Sequence, residues 1–137
     1  MNQRDKDMYL PFWVCILGIV FLIGACVCLE LTLSTSVYSL IGFVICLSLG
    51  AAEILCWKNQ GVKIVDDNTF IYTTMFGREK HYCFSEIREL KKNSDSFTLV
   101  LDNGKVHIES CAIMSERFVN SVDSALKRLY DTGDDSP

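Results

Sequence analysis

Two long apolar runs lie back to back near the N-terminus of this 137-residue chain. They cover residues 10–29 and 31–52, and the only charged residue between their outer ends is Glu30. Because about 20 apolar residues at a rise of about 1.5 Å cross a hydrocarbon layer of about 30 Å, each run is long enough to span a bilayer. The sequence therefore predicts a transmembrane hairpin over residues 10–57, with helices at 10–29 and 37–57 and a turn at 30–36.

The charges that flank these runs predict the orientation of the hairpin. Arg4 and Lys6 precede the first run, and Lys58 and Lys63 follow the second, whereas residues 30–39 contain no Lys or Arg. Positive charge is concentrated on the cytoplasmic side of membrane proteins. We therefore expect a multi-pass protein of the cell membrane with both termini in the cytoplasm, including a cytoplasmic N-terminus at residues 1–9.

A competing interpretation of the first run is a lipoprotein signal. The sequence Ile23-Gly24-Ala25-Cys26 resembles a bacterial lipobox, in which the cysteine is lipidated after signal cleavage. The apolar run continues past Cys26 to residue 29 and exceeds the apolar core of about 7 to 15 residues that signal peptides carry. An intact spanning helix is therefore the favoured interpretation.

Small residues recur every four positions along the second run, at Gly42, Cys46 and Gly50. Such a strip lets two helix backbones approach closely. The first run offers a partly matching face, made by Cys15, Gly18, Leu22 and Ala25. We expect the strip to pack within the hairpin, and packing against a second copy in a homo-oligomer is the alternative.

Glu53 is the carboxylate closest to this strip, three residues after Gly50. An ionisable residue within a membrane span is a functional candidate by default. Trp57 and Lys58 follow about one turn later, so Glu53 could also reach interfacial water or the lysine. The interfacial role is favoured, and transport or proton relay by the hairpin is the alternative.

The remaining sequence alternates in the manner of short strands and ends with one helix. Strand patterns occur at residues 62–65, 69–75, 79–84, 87–90, 96–101 and 106–108, and Asn103-Gly104 is a strong hairpin signal. From residue 118 the apolar positions change to helical spacing, with Ser115 as the predicted N-cap. The pattern predicts a cytoplasmic domain at residues 58–130 and a disordered acidic tail at 131–137.

This layout resembles bacterial PH-like domains. The resemblance lies in Phe76-Gly77-Arg78, in the step from Tyr82 to Ile87, in the hairpin around Asn103-Gly104 and in the terminal helix. Membrane proteins of the YcxB-like kind, and related families with two transmembrane helices, place such a domain after a helical hairpin. The resemblance implies an α+β membrane protein with a PH-like antiparallel barrel closed by a C-terminal helix.

Inositol phosphate binding does not follow from this resemblance. The loop that would hold the phosphates is acidic here, at residues 66–68. A basic cluster of Arg88, Lys91 and Lys92 is the candidate contact with an anionic membrane surface. Lysines that protect an exposed edge strand are the favoured explanation of this cluster, and recognition of anionic lipid head groups is a weaker alternative.

Metal, nucleic-acid and catalytic signals are weak. The seven cysteines show no C-x-x-C spacing in the soluble part, and a zinc site would have to combine His81, Cys83, His107 and Cys111 without a standard spacing. The residues from 58 onward include 11 basic and 13 acidic side chains, which does not favour nucleic acid. No nucleophile elbow, phosphate loop or metalloprotease motif is present. We therefore expect neither catalysis nor a metal or other cofactor.

The sequence thus predicts a membrane-tethered PH-like module that binds a protein or peptide at the inner leaflet. Its expected partners are the lipid bilayer and a membrane-associated protein, with a free sheet edge or the groove beside the last helix as the contact. The alternative is a small subunit of a transport or sensing complex that acts through the hairpin.

Overall fold

The computed structural model describes residues 5–34 and 37–133. Arg4, two residues of the predicted turn and the end of the predicted tail at 134–137 lie outside this range. The elements in chain order are β1 (Met8–Tyr9), α1 (Phe12–Ser34), α2 (Ser39–Asn59), β2 (Gly61–Ile64), β3 (Thr69–Thr73), β4 (Glu79–Cys83), β5 (Ile87–Lys92), β6 (Ser96–Leu101), β7 (Gly104–Glu109), β8 (Ile113–Met114) and α3 (Glu116–Gly133).

Helices α1 and α2 are long and apolar enough to cross a membrane by length and composition. Helix α1 continues through Glu30 to Ser34, five residues beyond the predicted end. The hydroxyl side chains of this extension bond to the preceding turn, since Thr32 Oγ1 donates to the carbonyl of Cys28 and Ser34 Oγ to that of Glu30, each at 2.8 Å. These bonds satisfy polar side chains within the helix itself.

The small residues of α2 face α1 of the same chain. A Cβ built at Gly50 would lie 2.8 Å from the carbonyl oxygen of Gly18, and one at Gly42 would lie 3.3 Å from Cys28 Sγ. Between them, Cys46 Sγ lies 3.8 Å from the position of a Cβ at Gly24. The strip therefore sets the distance between the two helix backbones, and Gly50 has no room for any side chain.

Strand β1 is an element that the sequence pattern did not predict. Met8 and Tyr9 pair with Val62 and Gly61 of β2 on one side and with Met114 and Ile113 of β8 on the other. The two residues alone carry no alternation, so their pairing depends on strands far away in sequence. Because β1 directly precedes α1 and β2 directly follows α2, both ends of the helical hairpin join the same sheet.

The described strands form two antiparallel sheets. The larger has the order β4-β3-β2-β1-β8 and the smaller the order β5-β6-β7. In the smaller sheet Ser96 pairs with Glu109 and Leu101 with Gly104, which is the register expected for a tight turn at residues 102–103. The structure therefore confirms the predicted α+β class and the antiparallel pairing of its strands.

A closed barrel is not seen, because neither sheet closes on itself among the described residues. A 3-10 turn at Phe84–Glu86 separates β4 from β5, and a turn after β7 leads to the two-residue β8. These interruptions break the backbone ladder at the points where a barrel would need continuous pairing.

Aromatic side chains form the centre of the core between the sheets and α3. Phe70 of β3 lies 4.8 Å from Phe84 and 6.2 Å from Phe118 of α3, measured between ring centroids. Ser115 Oγ accepts a hydrogen bond of 3.2 Å from the backbone N–H of Phe118, so Ser115 is the N-cap of α3, as predicted. Helix α3 continues to Gly133, so residues 131–133 are helical.

Candidate functional site

Lys6 connects the N-terminal segment to the end of α2. Its side chain is buried, and Nζ donates hydrogen bonds of 3.1, 3.0 and 3.2 Å to the carbonyls of Lys58, Asn59 and Gln60. A lysine at a helix C-terminus satisfies unpaired carbonyls and suits the helix dipole. Burial lowers the pKa of Lys6. This lysine therefore caps α2, besides counting as a flanking positive charge.

Asp7 joins three elements that are distant in sequence. Its Oδ2 accepts a hydrogen bond of 2.8 Å from the backbone N–H of Ile64, and its Oδ1 accepts one of 2.9 Å from Ser115 Oγ. The backbone of Asp7 also accepts from the N–H of Ser115 at 2.6 Å. The segment before α1 is thus bonded both to β2 and to the N-cap of α3.

An apolar groove lies between α3 and the smaller sheet. It has a volume of about 230 Å³. Its floor is made by Phe97, Leu99 and Ile108 and its α3 wall by Val119, Val122 and Leu126. Leu90 of β5 lines one margin and is 38% exposed, and Val119 on the helix is 46% exposed. The groove offers room for one or two apolar side chains.

Strand β5 borders this groove and is an edge strand of the smaller sheet. The later part of α3 lies beside its first residues, Ile87 and Arg88, and the residues from Arg88 to Lys92 are exposed. Within the described residues it pairs only with β6, and its register shifts at a bulge between Ile87 and Glu89. Unpaired N–H and C=O groups on such an edge can bind an extended peptide. The edge and the groove therefore form one continuous candidate surface, which we call the β5–α3 surface.

The three cations predicted to contact a membrane surface do not share a face. Arg88 makes a bidentate ion pair with Asp102, at 2.6 and 2.8 Å, which raises the pKa of Arg88 and lowers that of Asp102. Lys91 pairs with Glu89 at 3.5 Å. Lys92 points to the opposite face, since it is the next residue of the strand, and its Nζ lies 5.9 Å from the centroid of the Phe97 ring. Lys92 thus lies beside Phe97, one of the residues that line the groove.

A second, polar groove lies on another side of α3, between that helix and the turn before β3. Its volume is about 560 Å³. Arg117 pairs there with Asp67 at 3.5 Å, and both side chains are largely exposed. In the same turn, hydrogen bonds from Thr69 and Asn68 lower the pKa of Asp66. The turn is acidic, as the sequence indicates, and Arg117 partly offsets its charge.

Glu53 lines a cleft between the hairpin and the sheets. Five of the lining residues are polar or carry thiols, namely Glu53, Cys56, Gln60, Glu109 and Cys111. The volume of this cleft is about 300 Å³. Within the described residues, Glu53 makes no ion pair with Lys58 or another cation, so the carboxylate has no protein countercharge.

The histidines and soluble cysteines considered for zinc lie apart. His81 and Cys83 are on β4 of the larger sheet, whereas His107 is on β7 of the smaller sheet and Cys111 is in the turn after it. His107 Nε2 lies 3.4 Å from Glu109, and its Nδ1 lies 3.3 Å from Thr98 Oγ1. No group of three or more His, Cys, Asp or Glu side chains suited to a metal ion occurs in the part of the chain that the structure describes.

Sequence reasoning missed Lys6 and Asp7 as structural residues. A short apolar segment, Met8-Tyr9-Leu10, followed by Pro11 was the only local signal for a strand there. The class that the fold defines is an α+β protein with an apolar helical hairpin inserted between two paired strands. No protein-family model, no curated protein and no solved structure matches the chain.

Proposed function

We propose that this chain is a non-catalytic, membrane-tethered interaction module of the bacterial PH-like kind. Helices α1 and α2 cross the cell membrane, and the two sheets with α3 lie on the cytoplasmic side. The β5–α3 surface binds an extended peptide segment of a membrane-associated protein. The following observations support this proposal.

The exposed apolar surface of the hairpin supports membrane insertion. Val20 and Ile23 are 57% and 60% exposed, and similar side chains surround both helices. A contiguous apolar surface of this extent on a folded protein requires lipid or another protein to cover it. A helix with apolar residues on all sides is typical of a membrane span.

Strand β1 supports an intact first helix rather than a cleaved signal. Cleavage at the lipobox-like Cys26 would separate β1 from the rest of the chain, and β1 lies between β2 and β8 in the larger sheet. Loss of this internal strand would remove the core residue Met8, which is 1% exposed, and would uncover the core around it. A protein that depends on β1 therefore has to retain α1.

The single observation that carries the binding proposal is the β5–α3 surface itself. The later residues of edge strand β5 supply backbone hydrogen bonds, and the adjoining groove accepts an apolar side chain. Lys92, beside the groove residue Phe97, favours an acidic neighbour of that side chain. The partner is thus an extended segment in which an apolar residue is followed or preceded by a carboxylate. Tethering to the same membrane raises its effective concentration.

Site-specific photocrosslinking in cells tests this proposal with the full chain. A photoreactive residue replaces Leu90 or Val119 on the groove, and the control replaces Tyr130, which is 77% exposed on the same helix. We expect a discrete heterologous product from the two groove positions and none from Tyr130, and replacing Lys92 with Glu should reduce the product. Equal products from all three positions, or a product that is only a second copy of this chain, would contradict peptide binding at this surface.

A further inference from the structure

The register of the larger sheet shows which of its ends faces the helices. Tyr9 pairs with Gly61 and Gly61 with Thr73, so these three residues form one row across β1, β2 and β3. After this row β1 leads into α1, and α2 leads into the row at the start of β2. The turn between β3 and β4, at residues 74–78, leaves the sheet from the same row. This turn, which we call the 74–78 turn, therefore lies beside the C-terminal end of α2.

A hydrogen bond joins the 74–78 turn to the last residue of α2. Asn59 Nδ2 donates to the carbonyl of Met75 at 2.8 Å, and a Cβ built at Gly77 would lie 3.9 Å from the Asn59 side chain. Within the turn, the backbone N–H of Gly77 donates to the carbonyl of Thr74 at 2.9 Å, and Gly77 has a φ of 75° that disfavours any other residue. The turn therefore has a defined shape and lies level with the end of α2.

The tip of the 74–78 turn is an exposed aromatic side chain. Phe76 lies between Met75 and Gly77, the two residues next to Asn59, and is 74% exposed. The depth of this tip rests on the proposed function, in which α2 leaves the membrane near Trp57. Asn59 follows Trp57 by two residues, which corresponds to about 3 Å along the helix axis. Phe76 thus lies near the boundary between head groups and acyl chains, where aromatic and other apolar side chains insert.

Cations flank this aromatic tip. Lys58 and Arg78 are exposed, and neither forms an ion pair within the part of the chain that the structure describes. Glu79 follows Arg78 and Lys80 follows Glu79, so the charge around the turn is positive on balance. The other margin of the same sheet end differs, because the turn after β7 follows Glu109 and contains no Lys or Arg. Positive charge at this end of the sheet is therefore concentrated beside Phe76.

We propose that the 74–78 turn docks on the anionic surface of the membrane that α1 and α2 cross. Phe76 inserts between the lipid head groups, and Lys58 and Arg78 contact lipid phosphates. A guanidinium binds phosphate through paired hydrogen bonds, and an anionic leaflet attracts each cation that lies close to it. Because the hairpin tethers the turn to the same membrane, the effective concentration of lipid is high. The contact holds the larger sheet in one orientation relative to the bilayer.

Quenching of a tryptophan at position 76 by brominated lipid tests the contact. Phe76→Trp is made in the full chain with Trp13→Phe and Trp57→Phe, which removes both native tryptophans. The control reporter is Val65→Trp in the same background, because Val65 is 55% exposed and follows β2 at the opposite end of the larger sheet. Both variants are reconstituted in phosphatidylglycerol vesicles that contain brominated phosphatidylcholine. We expect quenching at position 76 to be about threefold stronger than at position 65, because only position 76 reaches the bilayer.

Charge variants distinguish a head-group contact from simple proximity to the membrane. With the reporter at position 76, Lys58→Gln/Arg78→Gln should reduce quenching in phosphatidylglycerol vesicles to the value found in vesicles of phosphatidylcholine alone. The matched control Lys105→Gln/Lys127→Gln removes two exposed cations, on β7 and α3, and should leave quenching unchanged. Arg78→Gln alone changes one exposed side chain and should give part of the reduction even if the double variant folds poorly.

Trp13 separates failure of this inference from failure of the proposed function. In a chain with Trp57→Phe alone, quenching of Trp13 near the start of α1 reports insertion of the hairpin. Quenching of Trp13 together with equal, weak quenching at positions 76 and 65 overturns the contact and leaves membrane insertion intact. Quenching at position 76 that Lys58→Gln/Arg78→Gln and Arg78→Gln both leave unchanged also overturns it. Absence of quenching of Trp13 means that α1 does not lie in the bilayer, and both proposals fail.

Discussion

Helices α1 and α3 have similar lengths, 23 and 18 residues, but they differ in how much of their apolar surface the protein buries. Helix α3 is apolar along one stripe, and Phe118 and Ala125 of that stripe enter the core. Helix α1 is apolar on all sides, and only four of its residues are buried, namely Val14, Cys15, Gly18 and Ala25. Water suits the outer face of α3, whereas the outer face of α1 is compatible with an apolar environment.

The comparison implies that the same kind of substitution has different effects in the two regions. A substitution in the apolar stripe of α3 changes the packing against the two sheets. A substitution in the hairpin changes the narrow contact between α1 and α2, while the outer faces of these helices contact only the surrounding medium.

Replacement of Phe118 with Ala should have the largest effect. The ring is 2% exposed and lies among Phe70 and Phe84, so its loss leaves a cavity in the aromatic core. We expect the free energy of unfolding in detergent micelles to fall by about 3–5 kcal/mol. The control Tyr130→Ala, on the exposed side of α3, should change it by less than about 0.5 kcal/mol. Similar losses for both variants would contradict the placement of α3.

Gly50→Leu should destabilise the hairpin by overpacking. A Cβ at this position would meet the carbonyl oxygen of Gly18 at 2.8 Å, so the helices have to separate. The expected loss is about 1–3 kcal/mol, measured as thermal unfolding of α1 and α2 by circular dichroism. Ala51→Leu serves as the control, because Ala51 is exposed on the outer face of α2. If Ala51→Leu is the more damaging variant, the two faces of α2 have been assigned incorrectly.

Lys6→Met should weaken the junction between the two regions. The substitution keeps most of the side-chain volume but removes three hydrogen bonds to the last carbonyls of α2. We expect a loss of about 1–3 kcal/mol and faster amide exchange in β1 and in the last turn of α2. Lys105→Met, on the exposed surface of β7, is the control. Unchanged exchange at the end of α2 would contradict the capping role of Lys6.

The ion pair of Arg88 with Asp102 should have the smallest effect on stability, because both side chains are exposed. Arg88 holds the pKa of Asp102 below its ordinary value of 3.8. A carboxyl with a lowered pKa in the folded state binds protons less readily than it does in the unfolded chain. Its contribution to the free energy of unfolding is therefore present above pH 3.8 and is lost as the pH falls through the folded-state pKa. In Arg88→Met, carbon-13 NMR titration should find the Asp102 pKa returned toward 3.8. An unchanged titration would exclude the pair.

Local patterns in the sequence predict those elements whose stabilising contacts are local. The uniformly apolar runs predict the two helices of the hairpin. Asn103-Gly104 predicts the turn between β6 and β7, and Ser115 predicts the start of α3. The sequence predicts a helix end at residue 29, but α1 continues to Ser34, because a single carboxylate at Glu30 does not interrupt the backbone hydrogen bonds of a helix.

The elements that the sequence did not predict depend on contacts across more than 50 residues. Strand β1 has two residues and acquires its structure from β2 and β8. Lys6 and Asp7 act on groups at the end of α2, in β2 and before α3, so neither spacing nor periodicity reveals them. The cleft around Glu53 likewise combines α1, α2, the end of β7 and the turn after it. Two of its lining residues are candidates from the sequence, Glu53 as an intramembrane carboxylate and Cys111 as a zinc ligand, but no pattern predicts that they share a cleft.

Accessibility of spin labels along α1 and α3 distinguishes a helix in the bilayer from a helix in water. Single labels at Ile16, Val20 and Val27 of α1 are compared with one at Ser124 of α3, in a variant without native cysteines reconstituted in vesicles. If α1 spans the bilayer and α3 lies in water, the α1 labels collide with oxygen and are protected from a water-soluble nickel complex, whereas the Ser124 label is open to the nickel complex. Equal access of that complex to both helices would contradict the account.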